Sequence, residues 1–320
     1  MLRPEDERSI IGVEPTKPYV DPKLRSSRRM QVKFARQLLD SGLFRATRTR
    51  RGTVGIFFVK KKNGSLRLIL DCRPTNELFR KPPSTPLATA ECLASFEIDD
   101  SSGASIADDL FVYIGISDIE NAFHRMRMPR WLSDFFCLPF TLCAGDMGMV
   151  GRMVDGHKLS YHDELSLAAS NLPMGFTWSL FFAQRISEHQ ISKAPGMDCS
   201  TLFNDGTGPL VIDPSKPLAV SHWVYVDNLG LICLGEDLLK QRLSGVVDHF
   251  NGIGLTMHET ESGLAEMPTL GCKLDCVSHK TKLTVERRVK LTKAIRAVLR
   301  RRTVSGIVLE VVLGHATFCC

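Results

Sequence analysis

The spacing of apolar and polar residues predicts helices and strands in an irregular order. Met30, Phe34, Leu38 and Leu39 recur at helical spacing, and this stretch ends at Gly42. Further along, strand-like runs of β-branched and aromatic residues alternate irregularly with helical stretches, and no internal repeat is visible. This order predicts an α+β fold rather than a doubly wound parallel sheet.

Three segments lack this periodicity. Residues 1–25 are predicted to be a loose lead-in, while residues 141–170 mix Gly, Met and polar residues, and residues 193–219 are rich in Pro and Gly. We expect the last two to be loop insertions, the first of them irregular. Between them, a Pro-Met-Gly turn is predicted to lead into a helix whose core-facing residues are Leu180, Phe181 and Ile186.

A hairpin is predicted around the Asn-Gly dipeptide at 63–64, which separates the apolar runs TVGIFFVKK and SLRLILD. A two-residue turn there pairs Lys62 with Ser65 and Lys60 with Arg67. Strand alternation then places Lys60 and Arg67 on one face. Two cations held face to face suit an anion between them, such as a triphosphate. The alternative is a basic edge strand that resists aggregation.

The positive charge is concentrated in two segments. Residues 23–73 hold 15 Lys/Arg against two acids, and residues 280–302 hold ten against one, so the rest of the chain is acidic. Two basic regions around an acidic middle suit a polyanion such as a nucleic acid. Two solvated basic faces are an equally good interpretation of the charge alone.

Several classes of protein are disfavoured by the composition. No apolar run approaches the ~20 residues of a membrane span, and the charged N-terminus does not look like a signal peptide. The ten cysteines include no Cys-x-x-Cys pair, which disfavours a zinc site or a disulfide framework. We therefore expect an intracellular protein, in the cytoplasm or nucleus, with reduced thiols and no membrane partner.

Two aspartates follow apolar strands and are candidates for metal binding. Asp118 ends the run LFVYIGISD, and Asp227 lies in the predicted turn of HWVYVDNLG. Two such carboxylates on neighbouring strands can hold a pair of divalent cations for in-line phosphoryl transfer. For either aspartate alone, an ordinary turn residue is the simpler interpretation.

The blocks FFVKKKNGSLRLILDCRPTNE, ISDIENAF, LPMGFTWSLFFAQ, YVDN, GIGLTMH and LGCKLD follow one another in an order that resembles the reverse transcriptases of retroelements. The resemblance covers roughly residues 30–315. It implies a right-hand polymerase with fingers at 26–117, a palm with an antiparallel sheet at 118–275, and a partial thumb or connection at 276–320. It also suggests a truncated piece of a longer polyprotein, whose other segments would be partners.

The resemblance implies roles for individual residues. Asp118 and Asp227 match the catalytic ligands of Mg²⁺, for which Mn²⁺ is a possible substitute, and Phe123 matches the aromatic that excludes a ribose 2′-hydroxyl. For Phe123, a core aromatic is the alternative. The triphosphate clamps match Arg67 with Lys60 or Lys61. The turn against the nascent base pair matches Leu172, Pro173, Met174 and Gly175, and the primer grip matches Leu270 and Gly271. Counting along the run favours Lys61, and the predicted hairpin pairing favours Lys60.

Two departures from the family pattern concern the catalytic centre. Asn228 stands where relatives carry a second aspartate, and its neutral amide would be a weak metal ligand. Glu259 and Glu261 flank the place of a lysine that protonates pyrophosphate, although His258 could donate a proton there.

Two hypotheses follow from the resemblance and its departures. The first is an RNA-directed DNA polymerase that uses an RNA (or DNA) template, a DNA primer and deoxynucleotide triphosphates. The second is a degenerate domain of the same fold that only binds nucleic acid.

Overall fold

A computed structural model describes residues 1–2, 16–60, 64–95, 97–99, 112–263, 267–269, 272–275 and 280–317. The chain divides into two compact units, one formed by Met1–Ser84 and Asn121–Ala183 and the other by Thr85–Glu120 and Gln184–Cys320. The prediction of an α+β fold with antiparallel sheets is confirmed. None of the described helices is both long and apolar enough to span a bilayer.

The strands before residue 200 are β1 (Phe44–Thr47), β2 (Gly55–Lys60), β3 (Leu66–Asp71), β4 (Glu97–Ile98), β5 (Tyr113–Ile119), β6 (Cys137–Cys143), β7 (Met153–Val154), β8 (His157–Lys158) and β9 (Glu164–Ala169). Those after residue 200 are β10 (Thr201–Leu202), β11 (Val211–Ile212), β12 (Ser221–Tyr225), β13 (Asn228–Cys233), β14 (Met257–Gly263), β15 (Met267–Thr269), β16 (Cys272–Asp275) and β17 (Lys280–Leu283).

The helices are α1 (Pro22–Ser26), α2 (Arg28–Asp40), α3 (Arg73–Asn76), α4 (Ala90–Ala94), α5 (Ala122–Arg125), α6 (Arg130–Ser133), α7 (Ser179–Ile191), α8 (Glu236–Gly252), α9 (Val285–Leu299) and α10 (Gly306–Thr317). Helix α2 confirms the first periodic stretch: Ser27 caps its N-terminus by accepting from the Met30 N–H, and Leu38 is buried.

The first unit is built on the antiparallel sheet β1–β9–β6, with the hairpins β2–β3 and β7–β8 beside it. Its core includes an aromatic cluster of Phe79, Phe135, Phe136 and Phe176, with ring centroids 4.8–6.4 Å apart. Three of these ring contacts are edge-to-face and one is stacked, and such contacts add to the burial of the rings themselves.

Strands occupy part of residues 141–170, so the prediction of an irregular insertion was wrong for those stretches. The segment contains part of β6, the β7–β8 hairpin and all of β9, which is the central strand of its sheet. Asp155 and Gly156 form the tip of the hairpin, both with positive φ. The Asp155 carboxylate accepts from the Thr47 hydroxyl (2.9 Å) and the Arg48 N–H (2.8 Å), which anchors the hairpin. The loop predicted at 193–219 contains only the short strands β10 and β11.

The β2–β3 hairpin forms, but its predicted register was wrong by one residue. Lys60 lies opposite Leu66, and Arg67 lies opposite Val59. Because directly opposed residues share a face, Lys60 and Arg67 point to opposite sides of the hairpin. The argument that favoured Lys60 over Lys61 is therefore lost, and Lys61 lies outside the described residues.

The second unit is built on the sheet β10–β12–β13–β5–β14, in which β10 runs parallel to β12 and the other neighbours are antiparallel. Helix α8 packs against β5, β13 and β14. A Cβ at Gly115 would lie 2.9 Å from the Leu243 side chain, so this glycine lets α8 approach β5 closely. The strand–turn–strand predicted around Asp227 is confirmed.

The core of the second unit surrounds Trp223, which is completely buried. Its ring lies over Gly230 on the adjacent strand, where a Cβ would come within 2.0 Å of it. The other members of this cluster are Ala88, Leu93, Val112, Ile114, Phe203, Leu210, Ile212, Ile232 and Cys272.

Helix α7 differs from its predicted pattern. Leu180, expected in the core, is 41% exposed, whereas the polar residues Gln184 and Ser187 are fully buried. The burial of two polar side chains requires hydrogen-bond partners. Those partners lie in the candidate site.

Candidate active site

The candidate site is a row of polar side chains across four strands at one end of the second unit's sheet. Tyr225 pairs with Asn228, Asn228 with Asp118, and Asp118 with His258. Directly opposed residues of antiparallel strands point to the same face, so all four side chains lie on one side. The end of β5 at Asp118 thus lies next to the turn that precedes Asn228, as the sequence predicted for two neighbouring strands.

Asp227 occupies the two-residue turn between β12 and β13, beside this row. Its backbone carbonyl accepts a hydrogen bond from the Ile119 N–H at 2.9 Å, which ties the turn to the strand that carries Asp118. The two aspartates predicted as a pair are therefore brought together, and they belong to the same compact unit.

The Asp118 carboxyl has an unusual acidity. Burial and, after it, the nearby charge of Asp227 raise its pKa from 3.8 to about 6, while His258 acts in the opposite direction. The His258 Nε2 lies 3.2 Å from Asp118 Oδ2. Two carboxylates in a partly buried place repel each other, which is the electrostatic situation that a divalent cation relieves.

Asn228 interacts with Asp227 in this structure. Its amide Nδ2 donates to Asp227 Oδ1 at 3.2 Å. An aspartate at position 228 could not make this contact, since a carboxylate only accepts when ionised. The amide therefore occupies one oxygen of the neighbouring carboxylate.

A β-bulge in β14 lies directly after His258. Glu259 has a φ of +50°, and the pairing with β5 shifts between His258 and Glu261. The buried Ser117 hydroxyl lies 2.7 Å from the Thr260 hydroxyl and 3.3 Å from the His258 carbonyl, which holds the bulge to β5. The bulge places Glu259 close enough to Asp118 to raise the pKa of that carboxyl. The role of His258 as a proton donor stays a prediction.

Two residues of α7 contact the turn although the sequence pattern did not single them out. Gln184 and Ser187 are one helical turn apart, and both bind the backbone of Val226. Polar residues at this spacing between buried positions were the available signal, but the pattern equally fits a solvated helix face.

The nucleotide-binding candidates belong to the first unit. Lys60 and Arg67 are exposed on the β2–β3 hairpin, and Phe123 is half-buried on α5. Met174 is 53% exposed in the turn before α7, and Gly175 follows it. Their roles stay predictions, as do those of Leu270 and Gly271, which lie outside the described residues.

The turn at 172–175 is held within the first unit by Asn76. The Asn76 amide donates to the Gly175 carbonyl (3.0 Å), and its oxygen accepts from the Thr177 N–H (3.0 Å). A Cβ at Gly175 would lie 2.9 Å from the Leu70 carbonyl, so the close approach of two backbones requires glycine there. A pocket of this unit is lined by Leu43, Phe44, Leu68, Ile69, Leu70, His124, Ala169, Asn171, Leu172, Pro173, Met174 and Gly175.

The donors at the site fit a hard cation such as Mg²⁺. Asp118 and Asp227 offer carboxylate oxygens, and Asn228 offers an amide oxygen if its side chain turns. Among the described residues, no group of three or more His, Cys, Asp or Glu side chains is arranged to hold a metal. Mg²⁺ needs no such cage, because it keeps several waters and takes ligands from substrate phosphates.

Comparison with known proteins agrees with the fold. No protein-family model matches this chain, and no curated protein matches it. A solved foamy viral protease-reverse transcriptase in complex with double-stranded DNA, in the form designated dRH, matches 96% of this chain and 42% of its own, with 16% identity and a TM-score of 0.59. A second structure of that protein with double-stranded DNA matches 96% and 50%, with 16% identity and a TM-score of 0.57.

A third structure, of the foamy viral protein with an RNA/DNA hybrid, matches 95% of this chain and 32% of its own, with 16% identity and a TM-score of 0.54. The chain therefore spans half or less of these solved chains. At this identity the likeness concerns the fold and not the activity. This chain has a fold similar to that of a viral reverse transcriptase.

Proposed function

We propose that this chain is a template-directed DNA polymerase domain of the reverse transcriptase type, from a retroelement, that copies RNA or DNA from a DNA primer. The observation that carries the proposal is the proximity of Asp118 and Asp227 at the end of an antiparallel sheet, within a reverse-transcriptase-like fold. Neither aspartate is explained by packing, since both bring negative charge to a partly buried place.

In the proposed mechanism, Asp118 and Asp227 hold the metal and orient the reacting groups. Bound Mg²⁺ would supply activation of the primer hydroxyl and neutralisation of charge on the leaving pyrophosphate. The carboxylates contribute by lying on adjacent backbone segments that the Ile119–Asp227 hydrogen bond keeps in register.

The proposal assigns nucleotide contacts to residues of the first unit. Arg67, with Lys60 or Lys61, would bind the triphosphate, and Phe123 would exclude ribonucleotides by contact at the 2′-hydroxyl. Met174 and Gly175 would lie against the nascent base pair. Leu270 and Gly271 would hold the primer strand, and the basic helix α9 would follow its phosphates.

A primer-extension assay on an RNA template with deoxynucleotides and Mg²⁺ tests the proposal. We expect extension by the unsubstituted protein and its loss in Asp227→Ala. Asp198→Ala removes an exposed carboxylate of the same unit and is the matched control, with no expected effect. Extension that persists in Asp227→Ala would contradict the assignment.

The alternative is a domain that binds nucleic acid without catalysis, and one observation favours it. The Asn228 amide already occupies an oxygen of Asp227, and it brings no charge to the metal site. This alternative predicts salt-sensitive template binding with no incorporation, even with Mn²⁺. Extension that appears only after Asn228→Asp would locate the defect at this position.

A further inference from the structure

The residue before Asp227 has a strained backbone. Val226 has a φ of +61°, in the left-handed region, and its side chain is buried. A β-branched residue is a genuine outlier there, because its Cβ comes too close to the backbone. Such a conformation persists only where the surroundings determine it.

Helix α7 supplies what holds Val226 in this conformation. The Val226 N–H donates to Gln184 Oε1 at 2.8 Å, and the Ser187 hydroxyl donates to the Val226 carbonyl at 2.8 Å. Both polar groups of the strained residue are thus bound from the same helix. Gln184 and Ser187 are fully buried, so water does not compete for these bonds.

The Gln184 amide is itself fixed in orientation. Its Nε2 donates to the Val224 carbonyl at 3.0 Å and to Glu188 Oε1 at 2.9 Å, which leaves Oε1 directed at Val226. Glu188 is held in turn by Arg185, at 2.8 Å. The two hydrogen-bond donors of the Gln184 amide are therefore both used, and only its oxygen remains for the turn.

The conformation of Val226 decides where Asp227 lies. The Asp227 carbonyl accepts from the Ile119 N–H, so rotation at Val226 would carry Asp227 away from the strand of Asp118. The α7 contacts thus act on the spacing of the two carboxylates through one backbone residue.

We propose that Gln184 and Ser187 are positioning residues that hold Val226 in the left-handed conformation and thereby place Asp227 beside Asp118 for metal binding. The metal-binding part of this inference rests on the proposed function. The conformational part rests on the hydrogen bonds alone.

The test measures Mn²⁺ affinity by electron paramagnetic resonance and amide hydrogen exchange of Ile119 by NMR. Ser187→Ala should weaken Mn²⁺ binding about tenfold, equivalent to ~1.4 kcal/mol, and should accelerate Ile119 exchange by a similar factor. Gln184→Met, which keeps the shape but not the hydrogen bonds, should do the same. Ser192→Ala removes a serine–carbonyl hydrogen bond of 2.8 Å at the end of the same helix and should change neither quantity.

A second substitution separates positioning from general destabilisation. Glycine adopts positive φ without the Cβ penalty, so Val226→Gly should make the contacts from α7 dispensable. In the Val226→Gly background, Ser187→Ala should change Mn²⁺ affinity and Ile119 exchange less than about twofold, a non-additivity that a merely structural role would not give.

Equal effects of Ser187→Ala in both backgrounds would overturn the inference. So would unchanged Ile119 exchange in Ser187→Ala and Gln184→Met. If the unsubstituted protein binds no Mn²⁺, the proposed metal site fails. The positioning of the turn is then still decided by Ile119 exchange, so the two failures are distinguishable.

Discussion

Asn228 lies directly opposite Asp118 in adjacent antiparallel strands, and its amide donates to the carboxylate of the preceding residue, Asp227. A neutral side chain thus stands beside two carboxylates, at a position where an aspartate would add a third. Its neutrality lowers the electrostatic repulsion in the metal-free protein. The same neutrality means that position 228 offers no charged ligand to a divalent cation.

Asn228→Asp should therefore have opposite effects on stability and on metal binding. Like charges directly opposite each other destabilise a strand pair, so the metal-free variant should lose about 0.5–1 kcal/mol. Added Mg²⁺ should raise the Tm of Asn228→Asp by more than it raises the Tm of the unsubstituted protein. Gln241→Glu adds one charge at an exposed position of α8 and serves as the control, with little change in either measurement. A lower Tm that Mg²⁺ does not restore would contradict the prediction.

Asp118→Asn should stabilise the metal-free protein above pH 6. The pKa of Asp118 is raised from 3.8 to about 6, so its protonated form contributes stability that is complete below pH 3.8 and lost as pH rises through 6. The side chain is only 22% exposed, so the gain at pH 8 should be about 1–3 kcal/mol. Thermal unfolding at pH 4 and pH 8 measures the difference.

The control and the metal response sharpen this prediction. Asp198→Asn removes an exposed carboxylate and should leave the pH dependence of Tm unchanged. Mg²⁺ should stabilise the unsubstituted protein at pH 8 and not Asp118→Asn, since only a ligand that binds the native state raises Tm. If Asp118→Asn differs in Tm from the unsubstituted protein by the same amount at pH 4 and at pH 8, the Asp118 charge is already neutralised by its surroundings, and the prediction is wrong.

The relation between Asp118 and Asp227 could be predicted because it depends on strand endings. Each aspartate follows an apolar run, and alternation fixes where such a run stops. The resemblance to known polymerase blocks then joined two residues that are distant in sequence. Pattern alone would have left both as turn residues.

The hydrogen bonds from α7 to Val226 and the register of the β2–β3 hairpin could not be predicted in the same way. Gln184 and Ser187 bind the backbone of Val226, whose positive φ is not predicted by the sequence around it. In the β2–β3 hairpin, the Asn-Gly signal favours a two-residue turn, but Lys60 lies opposite Leu66 and the register differs by one. A one-residue shift in register moves every side chain of a strand to the other face, so an error of one residue removed the argument that Lys60 and Arg67 share a face.

Gly230→Ala should destabilise the second unit through its contact with Trp223. A Cβ at this position would meet the indole ring at 2.0 Å, and the ring is completely buried. Overpacking of this kind costs about 1–3 kcal/mol, which denaturant unfolding followed by tryptophan fluorescence would measure. Gly208→Ala is the control, since a Cβ there meets nothing within 4 Å. Equal stability of the two variants would mean that β12 and β13 can separate without loss.

His222 should make the protein sensitive to acid. It is 4% exposed on β12, and burial lowers its pKa from 6.5 to about 4. Within the described residues its Nδ1 has no hydrogen-bond partner. Because the unfolded state binds the proton more readily, stability is complete above pH 6.5 and falls towards pH 4, by about 3 kcal/mol in all.

The acid effect of His222 is best measured in the Asp118→Asn background, because Asp118 gains stability over part of the same pH range and would mask it. There, His222→Leu should abolish most of the fall in stability between pH 6.5 and pH 4, whereas His189→Leu, at an exposed position of α7, should leave it intact. Urea unfolding at four pH values provides the free energies. If the slope survives in His222→Leu, the imidazole takes up its proton without loss of the native packing, and burial of His222 is not what limits acid stability.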